Sequence, residues 1–584
     1  MKNEKRKRNI NKRPEKKERR GNQEIVQRKT SYGRFSAQNQ RNLREPQLPL
    51  RGWRKTYLPY SHEKSQRKNE KRLCARRHGG GSKRMDKGTP ESEGRTQKDI
   101  SVERADNKTA RKHKAGRKQK PQAPEGVQAD LIKVLLDHFF PGFNKELGQF
   151  QDPRLPERII YSKEHLFYLG LGMFLFQCGS RGQLESERRT VAFYHNLLAL
   201  SGTDEERVAT AEAMNYFMEI MDPENGLELL PGNMTNTLIR SRVLDKFRNS
   251  NGEFMVAVDG VHLHTSKGVC PGAVYKEING ELHSYYGALE AKLVTEDGMG
   301  FSLATVFIEN EEEYVKQDCE LKAFYRLAEV LKERFPRLPI CLLLDGLYPN
   351  KNVLDICEKN QWGYFITLKN DSLPLLSKEA YEQMEDCPEQ AIDYSPEIGV
   401  HQHISWAVNL KQEGRRTHLL VCRETRITDK GIETTKFAWL TDSRPDKDNA
   451  AKLAKEARCR WKIEEMFNIQ KNGGYELEHC FGKIGFAMKN YYYLLQIAHM
   501  LHQLMIRSDL FPKLQKKFIL REFAQWPEKT RAFLAVMAAT ALTHFRTIKN
   551  FVKRLAESFR NQRFSVLATD LEVLGKIQIR LDST

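Results

Sequence analysis

The sequence predicts a multidomain α/β protein. A mixed-sheet core with a β-rich insertion is flanked by helical N- and C-terminal regions and preceded by a disordered basic arm. Three observations carry this. The chain has 584 residues, more than one ordinary core accommodates. Its basic surplus is confined to one terminus. Its apolar period changes from helical to strand-like and back again along the chain.

Of the 97 Lys and Arg, 39 lie before position 121, together with 13 of the 76 Asp and Glu. The remainder therefore carries 58 basic and 63 acidic residues, so the overall charge of +21 belongs to the arm alone. Such asymmetry points to a polyanionic partner. Residues 1–125 have few aliphatics and no sustained period, too little apolar burial to offset the entropy of ordering. They read either as a nucleic-acid tether or as an extension without a specific partner. The run Gly79-Gly80-Gly81-Ser82-Lys83 lacks the strand, the helix and the second spaced glycine of a phosphate loop, and reads as a linker. Ten cysteines are scattered singly without Cys-x-x-Cys pairs, which fits a reduced cytoplasmic chain and excludes a zinc-ribbon spacing. No apolar stretch follows the basic N-terminus, so a signal peptide is not expected. The greasiest run, Leu166 to Phe176, is too short for a bilayer and reads as a core helix.

Residues 126–250 are predicted helical, as an N-terminal domain that could bind DNA. Leu131, Val134, Leu135 and His138 share one face, further helices run over Glu164–Gln177, Arg188–Leu200 and Glu205–Met221, and Pro223 and Pro231 break between segments. No turn signature singles out a helix-turn-helix.

The core is read over 251–370 and 445–485. Met255–Val258 is a strand ending in Asp259-Gly260. Leu289, Ala291 and Leu293 alternate with Glu290 and Lys292 in a second, Asp297-Gly298 is a tight turn, and Phe301–Ile308 is a third strand. Asp318 is the expected N-cap of a helix through Phe335. Ile340–Leu344 is a strand buried on both faces, ending in Asp345-Gly346. A helix near Lys351–Lys359 and a strand near Trp362–Leu368 follow. This order of meander and helical crossovers is RNase H-like. Residues 371–444 hold three alternating stretches and read as an antiparallel insertion. Helix returns at Asn449 and ends at Gly473-Gly474. Residues 486–584 are a helical C-terminal region that could serve dimerisation.

Aspartate before glycine is common in turns and is a weak signal alone. If the first and fourth core strands are neighbours, however, Asp259 and Asp345 leave one sheet edge together. Close carboxylates repel unless cations lie between them, and hard divalent ions such as Mg²⁺ or Mn²⁺ prefer oxygen ligands. A third carboxylate is available on the later helix. At about 100° per residue, Glu464 lies roughly 40° and Lys471 roughly 20° from Arg460 around the axis, whereas Glu465 points elsewhere. The wheel thus selects Glu464 as metal ligand, with Arg460 and Lys471 beside it for phosphate oxygens. An ordinary surface ladder of salt bridges is the alternative reading of that helix.

These residues, Val258-Asp259-Gly260, Leu343-Leu344-Asp345-Gly346 and Arg460-x-x-x-Glu464-x-x-x-x-x-x-Lys471, resemble the DDE-class transposases of bacterial insertion sequences. The likeness is to the group with a Tyr-Arg-Glu-Lys signature and a β-insertion before the catalytic glutamate, and it covers roughly residues 250–510. Three of the four signature residues match; Ala457 stands in place of the tyrosine. The resemblance implies that Asp259, Asp345 and Glu464 are catalytic and hold two divalent ions, about 4 Å apart. It implies cleavage at the element's ends and transfer of the 3′-hydroxyl to target DNA, with Arg460 and Lys471 binding DNA. Double-stranded DNA, as terminal inverted repeats and target, is then the partner of a homodimer that is cytoplasmic, nucleoid-associated and prokaryotic, with no membrane involved.

His262 and His264 read as structural, because alternation aims both away from the face of Asp259. Trp406, Trp439 and Tyr491–Tyr493 read as packing rather than as base-stacking groups, and His479, which follows the glutamate helix, could touch DNA, though spacing alone does not establish it. Three competing readings remain: a non-catalytic DNA-binding derivative, an RNase H-like nuclease that cuts without joining, and a basic-tailed interaction protein binding RNA or an acidic surface.

Overall fold

A computed structural model describes residues 127–584 apart from 269, 271, 312–315, 370–371, 430, 523, 533–547, 565–576 and 580–584. The basic arm and its glycine run lie outside the described residues. The protein is mixed α/β. Among the described residues, ten strands join in one mixed sheet of order β2-β3-β1-β5-β6-β10-β9-β8-β7, with β4 paired to β3.

The N-terminal helices include α1 (Val127–Phe139), α2 (Phe143–Gly148), α3 (Lys163–Leu175), α4 (Arg181–Glu187), α5 (Val191–Ser201), α6 (Ala211–Ile220) and α7 (Leu230–Arg240). Ser162, Thr190 and Thr210 cap α3, α5 and α6 by accepting backbone N–H bonds. Pro231 does not break the chain as expected; it lies in the first turn of α7, where its missing N–H costs nothing.

The strands are β1 (Phe254–Lys267), β2 (Val274–Ile278), β3 (Glu281–Val294) and β4 (Gly300–Ile308), then β5 (Ile340–Leu344) and β6 (Gly363–Thr367). Helices α8 (Glu320–Arg334) and α9 (Lys351–Asn360) make the crossovers on either side of β5. β1 runs parallel to β5, and β5 to β6, while β1, β3 and β4 are antiparallel neighbours. Two local expectations fail. β1 continues eight residues beyond Asp259, because β3 pairs with it as far as Lys267. Asp318 does not cap α8: it accepts the Glu309 amide at 3.1 Å and the Arg326 guanidinium at 2.6 Å, and Cys319 is the N-cap.

The segment after β6 holds helix α10 (Pro374–Asp386) and four strands, β7 (Ala391–Glu397), β8 (Val400–Gln412), β9 (Arg415–Thr428) and β10 (Gly431–Thr441). The expected three stretches are β8 to β10. β7 was missed because its exposed residues alternate poorly. The β10–β6 pairing through Trp439 and Thr367 fuses this antiparallel part to the parallel part.

Helices α11 (Ala450–Arg458), α12 (Trp461–Asn472), α13 (Ala487–Arg507), α14 (Leu510–Glu522) and α15 (Ile548–Asn561) follow. The expected single helix from Asn449 is interrupted at Cys459-Arg460. α13 is buried along most of its length, between the sheet and α3 and α6. Among the described residues, no helix is long and apolar enough to cross a membrane.

Candidate functional site

The parallel register sets two of the carboxylates. Ala257 on β1 is level with Leu343 on β5, the last paired position of the two strands, so Asp259 and Asp345 each follow it by two residues. Neighbouring strands lie about 4.8 Å apart, so both carboxylates start from adjacent positions. Asp345 follows the last residue of β5, where Oδ1 accepts the Leu347 amide at 2.8 Å. Asp259 sits within β1 directly opposite Glu290 of β3. Opposed residues of an antiparallel pair leave the same face. On that face Tyr492 and Gln496 of α13 bond to Glu290 and Lys292, so Asp259 looks toward the layer that contains α12 and α13.

Glu464 comes from α12. Arg460, one turn earlier and buried, donates from Nη2 to Glu464 Oε1 at 2.5 Å. Lys471, on the same face of the helix, is paired instead with Glu478 at 2.9 Å, and Glu478 is 3.5 Å from His262 Nδ1. The wheel therefore groups Arg460, Glu464 and Lys471 on one face, but in this arrangement both cations are engaged by carboxylates.

The electrostatics join these pieces. Burial pushes the Asp259 carboxyl up to about 7; the Arg460 guanidinium pulls it down, and Glu464 and Glu320 push it further up. Glu320 is a residue the sequence reading did not select. It begins α8 and reaches β1 from the other side: a Cβ on Gly260 would lie 2.8 Å from Glu320 Oε2. Glycine at 260 is what admits that carboxylate. Tyr348, fully buried, donates its hydroxyl to Glu320 Oε1 at 2.7 Å. Burial, with Asp345 beside it, raises Glu320 above the usual carboxylate range, while the Tyr348 bond and Lys369 oppose the rise. The only sequence signal for Glu320 is its place in the first turn of a crossover helix, which a helix dipole explains equally well.

Glu464 and Glu320 thus act on the charge of Asp259, opposed by Arg460, and Asp345 acts on that of Glu320, opposed by Lys369 and the Tyr348 bond. Among the described residues, no three His, Cys, Asp or Glu side chains are already gathered in metal-binding geometry. Glu464 is turned onto Arg460. The donor set nevertheless fits a hard divalent ion: it is all oxygen, excess in negative charge, and contains a carboxyl driven toward its neutral form chiefly by burial and then by its carboxylate neighbours.

The tryptophans and tyrosines set aside as packing are buried, whereas His479 is exposed. Trp406 and Trp439 are 3% and 2% exposed, and Tyr491, Tyr492 and Tyr493 are similarly enclosed. His262 bonds to Thr265 at 2.8 Å, across the point where the β1–β3 register shifts. The chain matches no protein-family model and no curated protein.

Proposed function

We propose that this chain is a DDE-type DNA transposase with an RNase H-like core, which cleaves phosphodiester bonds at the ends of an insertion sequence and joins the 3′-hydroxyl ends to target DNA. The observation that carries the reading is the placement of three acids: Asp259 and Asp345 each lie two residues beyond the last paired position of the parallel strands β1 and β5, and Asp259 lies within electrostatic reach of Glu464 on α12, with burial and these neighbours holding its carboxyl up. The strand order β4-β3-β1-β5-β6, with its antiparallel and parallel halves, supports the RNase H-like part of the reading. The four strands before Glu464 support the β-insertion.

In this reading Asp259, Asp345 and Glu464 hold Mg²⁺ or Mn²⁺. Bound there, such ions activate a water or a 3′-hydroxyl for attack on phosphorus and stabilise the leaving oxygen. A hard cation held there would favour the ionised form of Asp259. Glu464, bonded to Arg460 in the metal-free protein, would supply the third carboxylate, and Arg460 beside it would meet a phosphate oxygen. Lys471, near the helix end, holds the DNA backbone once its pair with Glu478 opens. The partner is double-stranded DNA, as terminal inverted repeats and target, paired by a homodimer in a prokaryotic cytoplasm at the nucleoid.

The test is cleavage of DNA carrying the sequences that flank the gene, with Mg²⁺, by wild type and by Asp259→Ala, Asp345→Ala and Glu464→Ala. Loss of cutting in each variant, with strand-transfer product from wild type, is expected. Equal cutting by all four proteins would remove the site; nicking without joined product would make the protein a nuclease.

A further inference from the structure

Beneath the carboxylates lies a buried polar network that the proposed chemistry does not use. Glu290, fully buried, is the cross-strand partner of Asp259. It accepts from Tyr492 at 2.9 Å, Thr305 at 2.5 Å, Lys292 at 3.2 Å and the Ser302 hydroxyl. Lys292, 2% exposed, also donates to Gln496 Oε1 at 2.6 Å. That same oxygen accepts Gln470 Nε2 at 2.9 Å, and Gln470 lies 2.9 Å from His499 Nδ1. The network therefore begins opposite Asp259 and ends on α12, the helix that carries Glu464.

A buried ion pair of this kind adds little net stability compared with apolar side chains of the same shape. What it adds is direction. Apolar contacts of α12, through Ile463, Met466 and Phe467, tolerate small rotations, whereas the Gln470 amide meets both partners in one setting only. Gln470 is six residues from Glu464, about 120° around the axis. At a side-chain radius of about 5–6 Å, a 20° turn of the helix moves the Glu464 carboxylate by about 2 Å. Metal ligands must be placed within about 0.2 Å.

We infer that Gln470, held by Gln496, Lys292 and Glu290, is a positioning residue: it fixes the rotation of α12 so that Glu464 faces Asp259. The inference rests on the metal-site reading for its purpose, but not for the rotation itself.

Two measurements on the full-length protein separate these. The first is Mn²⁺ binding to wild type, to Gln470→Leu, and to Ile463→Val as a control that loosens the same buried face without touching the network. Gln470→Leu is expected to weaken Mn²⁺ binding about tenfold, with Ile463→Val near wild type. The second is amide hydrogen exchange over Trp461–Asn472 in metal-free protein, expected to accelerate about tenfold or more in Gln470→Leu alone. Wild-type exchange in Gln470→Leu, or equal loss in both variants, overturns the inference. Accelerated exchange in a protein whose wild type binds no Mn²⁺ overturns the metal-site reading and leaves the rotational role standing.

Discussion

Arg460 and Glu464 are joined at 2.5 Å across one turn of helix, with the arginine side chain 7% exposed and the glutamate 39%. The pair acts on Asp259 with opposite signs, Arg460 lowering its pKa and Glu464 raising it. Arg460→Ala should therefore move the Asp259 titration above about 7, and Glu464→Gln should move it below. Thermal unfolding of metal-free protein across pH 5–9 reads the shift. Movement of both variants in the same direction would place the two groups outside electrostatic reach of Asp259.

The raised carboxyl also sets a stability term. Below about pH 4 both folded and unfolded chains are protonated at Asp259, and no penalty exists. Between about 4 and 7 the unfolded chain ionises while the folded one does not, so stability falls as pH rises and the penalty is complete above 7. Asp259→Asn removes this term. It should raise the metal-free Tm by roughly 2–5 °C at pH 8 and little at pH 5. A destabilised variant at pH 8 would show that the carboxylate has a counter-charge.

Much of this arrangement was legible in the sequence, for a physical reason. β5 was readable because Ile340–Leu344 is continuously apolar between breaker residues, and α9 because Asn350 caps it and its apolar spacing is regular. The face shared by Arg460, Glu464 and Lys471 follows from helix geometry alone. Three features were not readable. Glu290 and Lys292 alternate with apolar residues as an exposed edge does, yet α13 covers them, a tertiary fact with no local trace. Glu320 enters the site only because Gly260 has no side chain across the sheet. Asp259 looked like a strand end because Asp-Gly signals a turn, whereas pairing with β3 overrides that local preference.

Acid should act through the buried histidines of α13. Burial lowers His502 to about 4, its Nδ1 being 2.6 Å from the Tyr475 hydroxyl. Burial lowers His499 as well, with Lys292 adding to the effect. As pH falls from 6.5 toward 4, the unfolded chain takes up protons that the folded chain refuses, so stability is lost over that window. Denaturant unfolding at pH 7.5 and 5.5 should show it. His502→Gln should cost about 1–2 kcal/mol at pH 7.5 through the Tyr475 bond, and reduce the pH slope by about one proton. An unchanged slope would mean His502 titrates normally.

The sheet-to-helix contact that seats the core on the N-terminal helices rests on a glycine. In α7, Gly232 lies against β4, where a Cβ would fall 2.5 Å from the Leu303 carbonyl oxygen. Three residues on, Thr235 donates to Ser302 O at 2.6 Å and fixes the same approach. Helix propensity favours alanine over glycine by about 1 kcal/mol, so a free surface would gain from Gly232→Ala. Here the obstacle is backbone and cannot rotate away. Overpacking of that kind costs about 1–3 kcal/mol, and with the hydrogen bond strained as well the net effect is destabilising. Gly148→Ala at the end of α2, where the nearest atom is a glutamate oxygen 3.9 Å away, should stay within about 0.5 kcal/mol. Thermal or urea unfolding of the two variants decides it: Gly232→Ala as stable as Gly148→Ala would mean that α7 does not rest on β4 at this distance.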